Sequence, residues 1–235
     1  MKKTTIIIEG KPFTYNDEID DITYETISPI SVEDARDVLR TTKRLFDQCG
    51  IRFSLAFGTL LGAVRDKTII KGDEDVDVFV EDEEELRKHL PFLHEHGLKV
   101  CRILEHYLFS FRTNNRSYID VYFKAKLPFS IWSLWCDSLL CKAVPRRYIN
   151  RFDKIKFLGD EYLCPHKPER ILSFWYGKDW RTPVSGHHFT YDTPSHYWWV
   201  HEGKYKYERF ITNLKRPIKV IFGCIFRKKY VKGSK

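Results

Sequence analysis

Two runs decide the reading: Phe57-Gly58-Thr59-Leu60-Leu61-Gly62-Ala63-Val64-Arg65, and then Asp73-Glu74-Asp75-Val76-Asp77-Val78-Phe79-Val80. Side chains alternate faces along a strand. A strand over 74–80 therefore sets Asp75, Asp77 and Phe79 on one face and Val76, Val78 and Val80 on the other. Residues i and i+2 lie ~6.6 Å apart, at about 3.3 Å of rise each. Two carboxylates at that separation can converge on a hard cation, and they repel each other unless one sits between them. Mg²⁺ suits such a site because it combines one or two carboxylates with phosphate oxygens and water; Mn²⁺ is the alternative. Upstream, Gly58-Thr59 stands where a strand over 51–57 turns into a short helix over 60–65. A helix start offers free N–H groups to a phosphate, Gly58 lets the backbone approach closely, and Arg65 can reach a second phosphate oxygen.

A third carboxylate comes later, in Ser117-Tyr118-Ile119-Asp120-Val121-Tyr122. Asp120 faces away from the apolar Ile119, Val121 and Phe123. If this strand neighbours 74–80, Asp120 completes a cluster. A phosphate cradle, carboxylates for metal and one carboxylate to take a proton are the parts phosphoryl transfer uses. A lone Asp-x-Asp is more often a solvated sheet face. The Gly-Thr turn before it and the Asp120 strand after it tip the balance here.

Working outward, residues 1–30 read as short extended pieces around the turn Glu9-Gly10-Lys11-Pro12. Ser31 is an N-cap, and Val32, Ala35, Val38, Leu39, Leu45 and Phe46 recur at helical spacing up to Cys49. A charged helix over 81–96 closes at Gly97. Strands follow over 98–104, 107–112 and 118–123, the last two joined as a hairpin at Asn114-Asn115. This order implies a mixed α/β (α+β) domain with a mixed sheet. Residues 1–126 form the expected catalytic core. Residues 127–203 hold six of the ten prolines and every Trp, with helices expected near 130–143 and 167–177, and read as a C-terminal subdomain packed on that core. Residues 204–235 form a basic tail.

The stretch 57–65 followed by Ile70-Lys71-Gly72-Asp73-Glu74-Asp75-Val76-Asp77-Val78 resembles the LicD/fukutin family pattern, Y-G-T-L-L-G-x-x-R and then I-P-W-D-D-D-x-D. Tyr118-Ile119-Asp120-Val121 resembles its third acidic motif. Tyr176-Gly177-Lys178-Asp179-Trp180-Arg181-Thr182-Pro183 is similar to its late Y-G-D-x-W-x-x-P element. The resemblance spans about residues 31–183, with four motifs in order. It implies a nucleotidyltransferase-like fold and a Mg²⁺-dependent transferase. Such an enzyme moves phosphocholine or a polyol phosphate from a CDP-activated donor to a hydroxyl of a cell-surface glycan. By the same resemblance Asp75 and Asp77 hold metal, Gly58 and Thr59 cradle phosphate, and Asp120 is the third acid; that Asp120 is also the general base is a chemical inference. Gly72 and Lys71 depart from the family's Trp and Pro, Glu74 from its middle Asp, and Phe57 from its Tyr. Two further readings stay open: a nucleotidyltransferase moving NMP from an NTP, and an inactive relative that holds a membrane or polyanion.

The chain has 235 residues and a net charge of +8, and the tail from Lys204 carries +10 of it, so the body is slightly acidic. That speaks against nucleic acid as a partner. The tail 215–235 alternates basic clusters with apolar residues. It reads either as a segment lying beside anionic lipid, where a lipid-linked acceptor would be, or as a helix docked on the body. The apolar stretch after Met1-Lys2-Lys3 is too short for a signal peptide, and no run approaches the ~20 residues of a membrane span. A cytoplasmic location, peripheral on the inner face of a membrane, is the expectation. Six cysteines without C-x-x-C spacing suggest neither zinc nor a disulfide framework. His187, His188, His196 and His201 lack ligand-like spacing for zinc. Aromatics crowd 174–199 and read mainly as core; Trp180, inside a family motif, is the first candidate to face substrate.

Overall fold

Parallel pairing of Val76–Val80 with Tyr118–Lys126 forms the centre of the computed structural model, which describes residues 2–18, 28–105, 108–113, 117–126, 134, 136–139 and 142–183. All of these fall in one of two compact units, Met1–His196. The basic tail, His187, His188, His196, His201, the aromatics from 189 onward and the Asn114-Asn115 turn lie outside the described residues.

The chain opens with the hairpin β1 (Lys2–Ile8) and β2 (Lys11–Asp17). Glu9 and Gly10 both take positive φ, 47° and 78°, which matches the right-handed twist of a two-residue hairpin. Helix α1 (Val32–Gln48) is capped by the Ser31 hydroxyl, which accepts the Asp34 N–H at 3.0 Å. It buries Ala35, Val38, Leu39, Leu45 and Phe46, one apolar stripe. Then come β3 (Phe53–Leu55), α2 (Phe57–Leu61) running into a π-helical turn at Gly62–Asp66, β4 (Val76–Val80), α3 (Glu83–Glu95), β5 (Lys99–Leu104), β6 (Leu108–Arg112) and β7 (Tyr118–Lys126). The chain continues through β8 (Cys136–Leu139), β9 (Lys142–Pro145), α4 (Arg146–Ile149), β10 (Phe152–Phe157), β11 (Asp160–Pro165) and α5 (Pro168–Tyr176).

The main sheet runs β10-β11-β3-β4-β7-β6-β5, with β8 and β9 branching from the far end of β7. It is mixed: β4–β7 and β11–β3 are parallel and the other neighbours antiparallel. One face carries Val76, Val78 and Val80 with Ile119, Val121 and Phe123. On this side Phe46 of α1 meets Phe53 edge-on at 5.7 Å, and Arg87 of α3 lies over Phe109 at 5.1 Å. The opposite face carries Asp77, Phe79, Asp120 and Tyr122, and α2 and α5 lie there. The Phe57 ring packs against Tyr122 at 4.8 Å and Trp175 at 4.6 Å. Both faces of β4 are buried.

The mixed sheet follows the sequence pattern; several bounds do not. The strand expected over 51–57 is three residues, because Phe57 already starts the helix with φ 36°. The strand expected over 74–80 begins at Val76, with Asp75 in the bend before it. The helix expected near 130–143 is corrected: its described residues 136–139 and 142–143 are strand. A short apolar run fits either period, and here pairing with β7 decides it. The helix expected over 167–177 is α5, with Pro168 at its start and Gly177 (φ 88°) ending it.

Candidate active site

Register builds a polar row across four neighbouring strands. Arg102 on β5 opposes Ser110 on β6, Ser110 opposes Asp120 on β7, and Asp120 lies beside Asp77 on β4. A register shift between Val100 and Arg102 interrupts the β5–β6 ladder. Without it Cys101 would oppose Ser110; the extra residue turns Arg102 onto the carboxylate face, as bulges re-aim side chains. The Arg102 guanidinium then donates to both Asp120 oxygens, at 3.0 and 2.8 Å. Its Nε donates to Ser110 Oγ at 2.9 Å, and Ser110 donates to Asp120 Oδ1 at 2.5 Å.

Asp77 is fixed by the turn that precedes it in sequence. The Gly58 N–H donates to Asp77 Oδ2 at 3.0 Å, the Asp77 N–H donates to Thr59 Oγ1 at 2.8 Å, and the Ala56 N–H donates to the Asp77 carbonyl at 3.0 Å. Thr59 is fully buried. As placed, the Gly58 amide and Thr59 hydroxyl therefore serve Asp77 rather than presenting a free cradle. Gly58 has a steric reason too: a Cβ there would sit 2.9 Å from Asp73 Oδ2 and 3.2 Å from Asp77 Oδ2. Asp73 thus joins the cluster.

Electrostatics confirms the crowding. Burial, then Asp77, Asp120 and Asp73, push the Asp75 carboxyl well above its ordinary range. Asp77 is pushed up by burial, Asp73 and Asp120, against hydrogen bonds from Gly58 and Tyr122. Asp120 is raised by burial, partly offset by Arg102, Ser110 and Tyr122. Burial and the Asp77 and Asp73 charges raise the Tyr176 phenol, against Arg65, so the end of α5 also faces the carboxylates. Arg65 is held by Asp66 through two bonds of 2.8 and 2.7 Å.

Asp75, Asp77, Asp120, Gly58 and Thr59 thus come together. Trp180 does not join them. It is buried beneath the Arg181 guanidinium, 4.2 Å from its ring centroid. It lines a cavity of about 520 Å³ with Lys167, Glu169, Arg170, Ser173, Lys178 and Arg181, and none of Asp73, Asp75, Asp77 and Asp120 lines it. Asp73, Arg102, Ser110, Tyr122 and Tyr176 are site residues that sequence reasoning missed. Ser110 left one signal, a polar residue inside the apolar run Leu108-Phe109-Ser110-Phe111.

No three His, Cys, Asp or Glu side chains among the described residues form a ready-made metal cage, since Asp120 is turned to Arg102 and Asp77 to Gly58. The donor set still fits a hard divalent cation. Buried carboxylates raise one another's proton affinity, and they are the oxygen ligands Mg²⁺ prefers. Cys49, Cys101, Cys136 and Cys164 are free thiols.

A family profile described as LicD/FKTN/FKRP, nucleotidyltransferase domain, matches residues 50–167. The span takes in the α2 turn, the three acidic positions and Arg102, and stops before Tyr176. Two solved structures are similar at 12% identity. One is the lincosamide antibiotic adenylyltransferase LnuA with lincomycin bound, TM-score 0.42, covering 58% of this chain and 83% of that one. The other is the antibiotic-resistance factor ANT(2″)-Ia, TM-score 0.43, covering 82% of this chain and 95% of that one. No curated protein matches the sequence significantly.

Proposed function

The chain belongs to the LicD/FKTN/FKRP family through its nucleotidyltransferase domain, and from that premise we propose a divalent-cation-dependent transfer of a phosphorylated group from a CDP-activated donor to a glycan hydroxyl. The observation that carries this reading is the side-by-side placement of Asp77 and Asp120, with Asp75 two residues before Asp77. The groups transferred would be phosphocholine or a polyol phosphate.

Asp75 and Asp77 would hold Mg²⁺ or Mn²⁺, with Asp120 as the third acid. The cation would supply charge neutralisation at the donor's pyrophosphate. Gly58 and Thr59 keep Asp77 in place, and Phe57 anchors their turn against Tyr122 and Trp175. Arg65 reaches the phosphates by exchanging one Asp66 oxygen for a phosphate oxygen, so its guanidinium stays paired. Asp120 takes the proton; burial raises its affinity for one, against Arg102, Ser110 and Tyr122. The acceptor oxygen forms a bond to the distal phosphorus, its proton passes to Asp120, and the bond to CMP breaks. Positioning and charge neutralisation supply most of the rate.

The experiment is calorimetry with CDP-choline, CDP-ribitol, CDP-glycerol, CTP and ATP, each with and without Mg²⁺, on wild type and Asp77→Asn. Cation-dependent binding of one CDP compound, lost in the variant, supports the proposal. The family's nucleotidyltransferase description keeps a second reading in view, NMP transfer from an NTP; CTP or ATP preference, with pyrophosphate rather than CMP released, selects it. Absence of any nucleotide binding overturns both in favour of a binding module. No helix among the described residues is long and apolar enough to cross a membrane. Peripheral contact of residues 215–235 with anionic lipid, near a lipid-linked acceptor, is part of the proposal, and vesicle co-sedimentation of the full chain against one ending at residue 203 tests it.

A further inference from the structure

Arg102 holds a position that the transfer reaction alone does not explain. It is a cation inserted among acids, and a break in sheet register aims it there. Its side chain is 15% exposed and that of Asp120 6%. Arg102 makes two donor contacts to the Asp120 oxygens and Ser110 one, and the Tyr122 hydroxyl bonds to Asp120 as well. A carboxylate has about four lone-pair sites, so little of Asp120 is left for a metal or a proton while Arg102 stays. Yet Asp73, Asp75 and Asp77 crowd the same pocket.

We infer that Arg102 is an exchangeable counter-ion: it occupies Asp120 in the empty site and passes to the donor's phosphates when a divalent cation takes one Asp120 oxygen, leaving the other for the acceptor's proton. A guanidinium suits both partners, since its planar fork fits a carboxylate and a phosphate alike. The exchange keeps both Arg102 and Asp120 paired throughout. Before it, Asp120 is paired with Arg102. After it, the acids are paired with the cation and the anionic donor with Arg102. Cation and donor therefore help each other bind, and by linkage the help is equal in both directions. This inference rests on the proposed cation-dependent transfer and adds Arg102 to it as a positioning residue.

The test measures two affinities in the full chain: Mn²⁺ alone by electron paramagnetic resonance, and CDP by calorimetry with Mn²⁺ saturating. In Arg102→Gln the competitor at Asp120 is gone, so Mn²⁺ binding should tighten by about tenfold, a typical coupling. CDP binding should weaken by a similar factor. Loss of structure alone would weaken both, so opposite signs are the signature. Arg102→Lys keeps the charge without the fork; it should tighten Mn²⁺ less and hold CDP close to wild type. If Arg102→Gln does not fold, Arg102→Lys decides: unchanged or weaker Mn²⁺ binding overturns the inference. Weaker Mn²⁺ binding in folded Arg102→Gln, or unchanged CDP affinity, overturns it too while leaving the transfer reading intact. Wild type that binds no Mn²⁺ with or without CDP overturns both.

Discussion

Replacing Asp77 by Asn should make the metal-free protein more stable while removing its response to Mg²⁺. Asp77 lies beside Asp120 on the neighbouring strand, about 4.8 Å away in the pairing direction. Asp73 repels it most, followed by Asp120, which Arg102 compensates only in part. For two carboxylates about 6–7 Å apart at an effective dielectric near 20, one pair costs about 2.5 kcal/mol when both are charged. Partial protonation relieves some of this, so a net gain of about 1–3 kcal/mol is expected from the neutral isostere. Asn Oδ1 can still accept the Gly58 N–H, and the Asp77 N–H to Thr59 is untouched, so the turn survives. For a chain of this size that is roughly 2–12 °C in Tm.

The pH dependence carries the sign. Folding raises the Asp77 and Asp75 values above 3.8, so the folded state holds protons that the unfolded chain has released. Their contribution is fullest below the ordinary carboxylate value and is lost as pH rises through the raised folded value. Carboxylates lowered by partners, such as Asp153 and Glu161, act in the opposite sense but finish titrating well below neutrality. As pH rises above the ordinary carboxylate range, metal-free wild type should therefore lose stability, and Asp77→Asn should lose less. Mg²⁺ at about 100 times its Kd should add roughly 2.7 kcal/mol to wild type and almost nothing to the variant. Urea unfolding at several pH values, with EDTA or Mg²⁺, measures all three. A metal-free variant less stable than wild type at neutral pH, or one with an undiminished pH slope, refutes the charge-crowding argument.

Thr59→Val leaves the buried Asp77 N–H without its acceptor and should cost about 1–3 kcal/mol in thermal or urea unfolding, with Mg²⁺ binding weakened because Asp77 loses its register. Gly62→Ala should cost about 2–4 kcal/mol, because the added Cβ would lie 2.5 Å from the Thr68 carbonyl oxygen; a fully stable variant would show that the α2 turn can shift. Phe57→Ala should cost about 3–5 kcal/mol as a core truncation. It should also lower donor affinity, since that ring ties the Gly58 turn to Tyr122 and Trp175, and calorimetry on the folded variant checks this.

The core of the site was legible because strands have period two. Asp77 and Phe79 against Val76, Val78 and Val80 could be read from alternation alone, as could Asp120 against Ile119 and Val121. That the two strands are neighbours was a conditional in the sequence and is a register in the structure. Arg102 was not legible for a physical reason. In a regular strand of period two its face follows from its neighbours, and only the bulge at Cys101 aligns it with Ser110. Nothing in Val100-Cys101-Arg102-Ile103 announces that extra residue. Gly58 and Thr59 were found for the right place but with different work: their polar atoms grip Asp77, a contact between residues 18 and 19 positions apart that spacing does not reveal.

A common economy links these features. The sheet spends stability on a crowded acidic patch, and several local devices hold that patch in one geometry. Phe57 takes a left-handed backbone, φ 36°, at a cost of about 1–2 kcal/mol for a residue with a Cβ, and its buried ring more than offsets it. The turn that this conformation creates holds Asp77 twice: its carboxylate accepts the Gly58 N–H, and its own N–H donates to the Thr59 hydroxyl oxygen. On the other side the bulge breaks the β5–β6 ladder and delivers Arg102 to Asp120. Both devices disturb regular structure, and both end on a carboxylate. A site whose purpose was folding would be better served by apolar residues at 77, 102 and 120, since buried ion pairs are often no more stabilising than well-packed hydrophobes. Such local violations, gathered at one place in an otherwise consistent fold, are what a binding site for charge requires. They also imply that the substitutions most harmful to function here are among those that stabilise the empty protein.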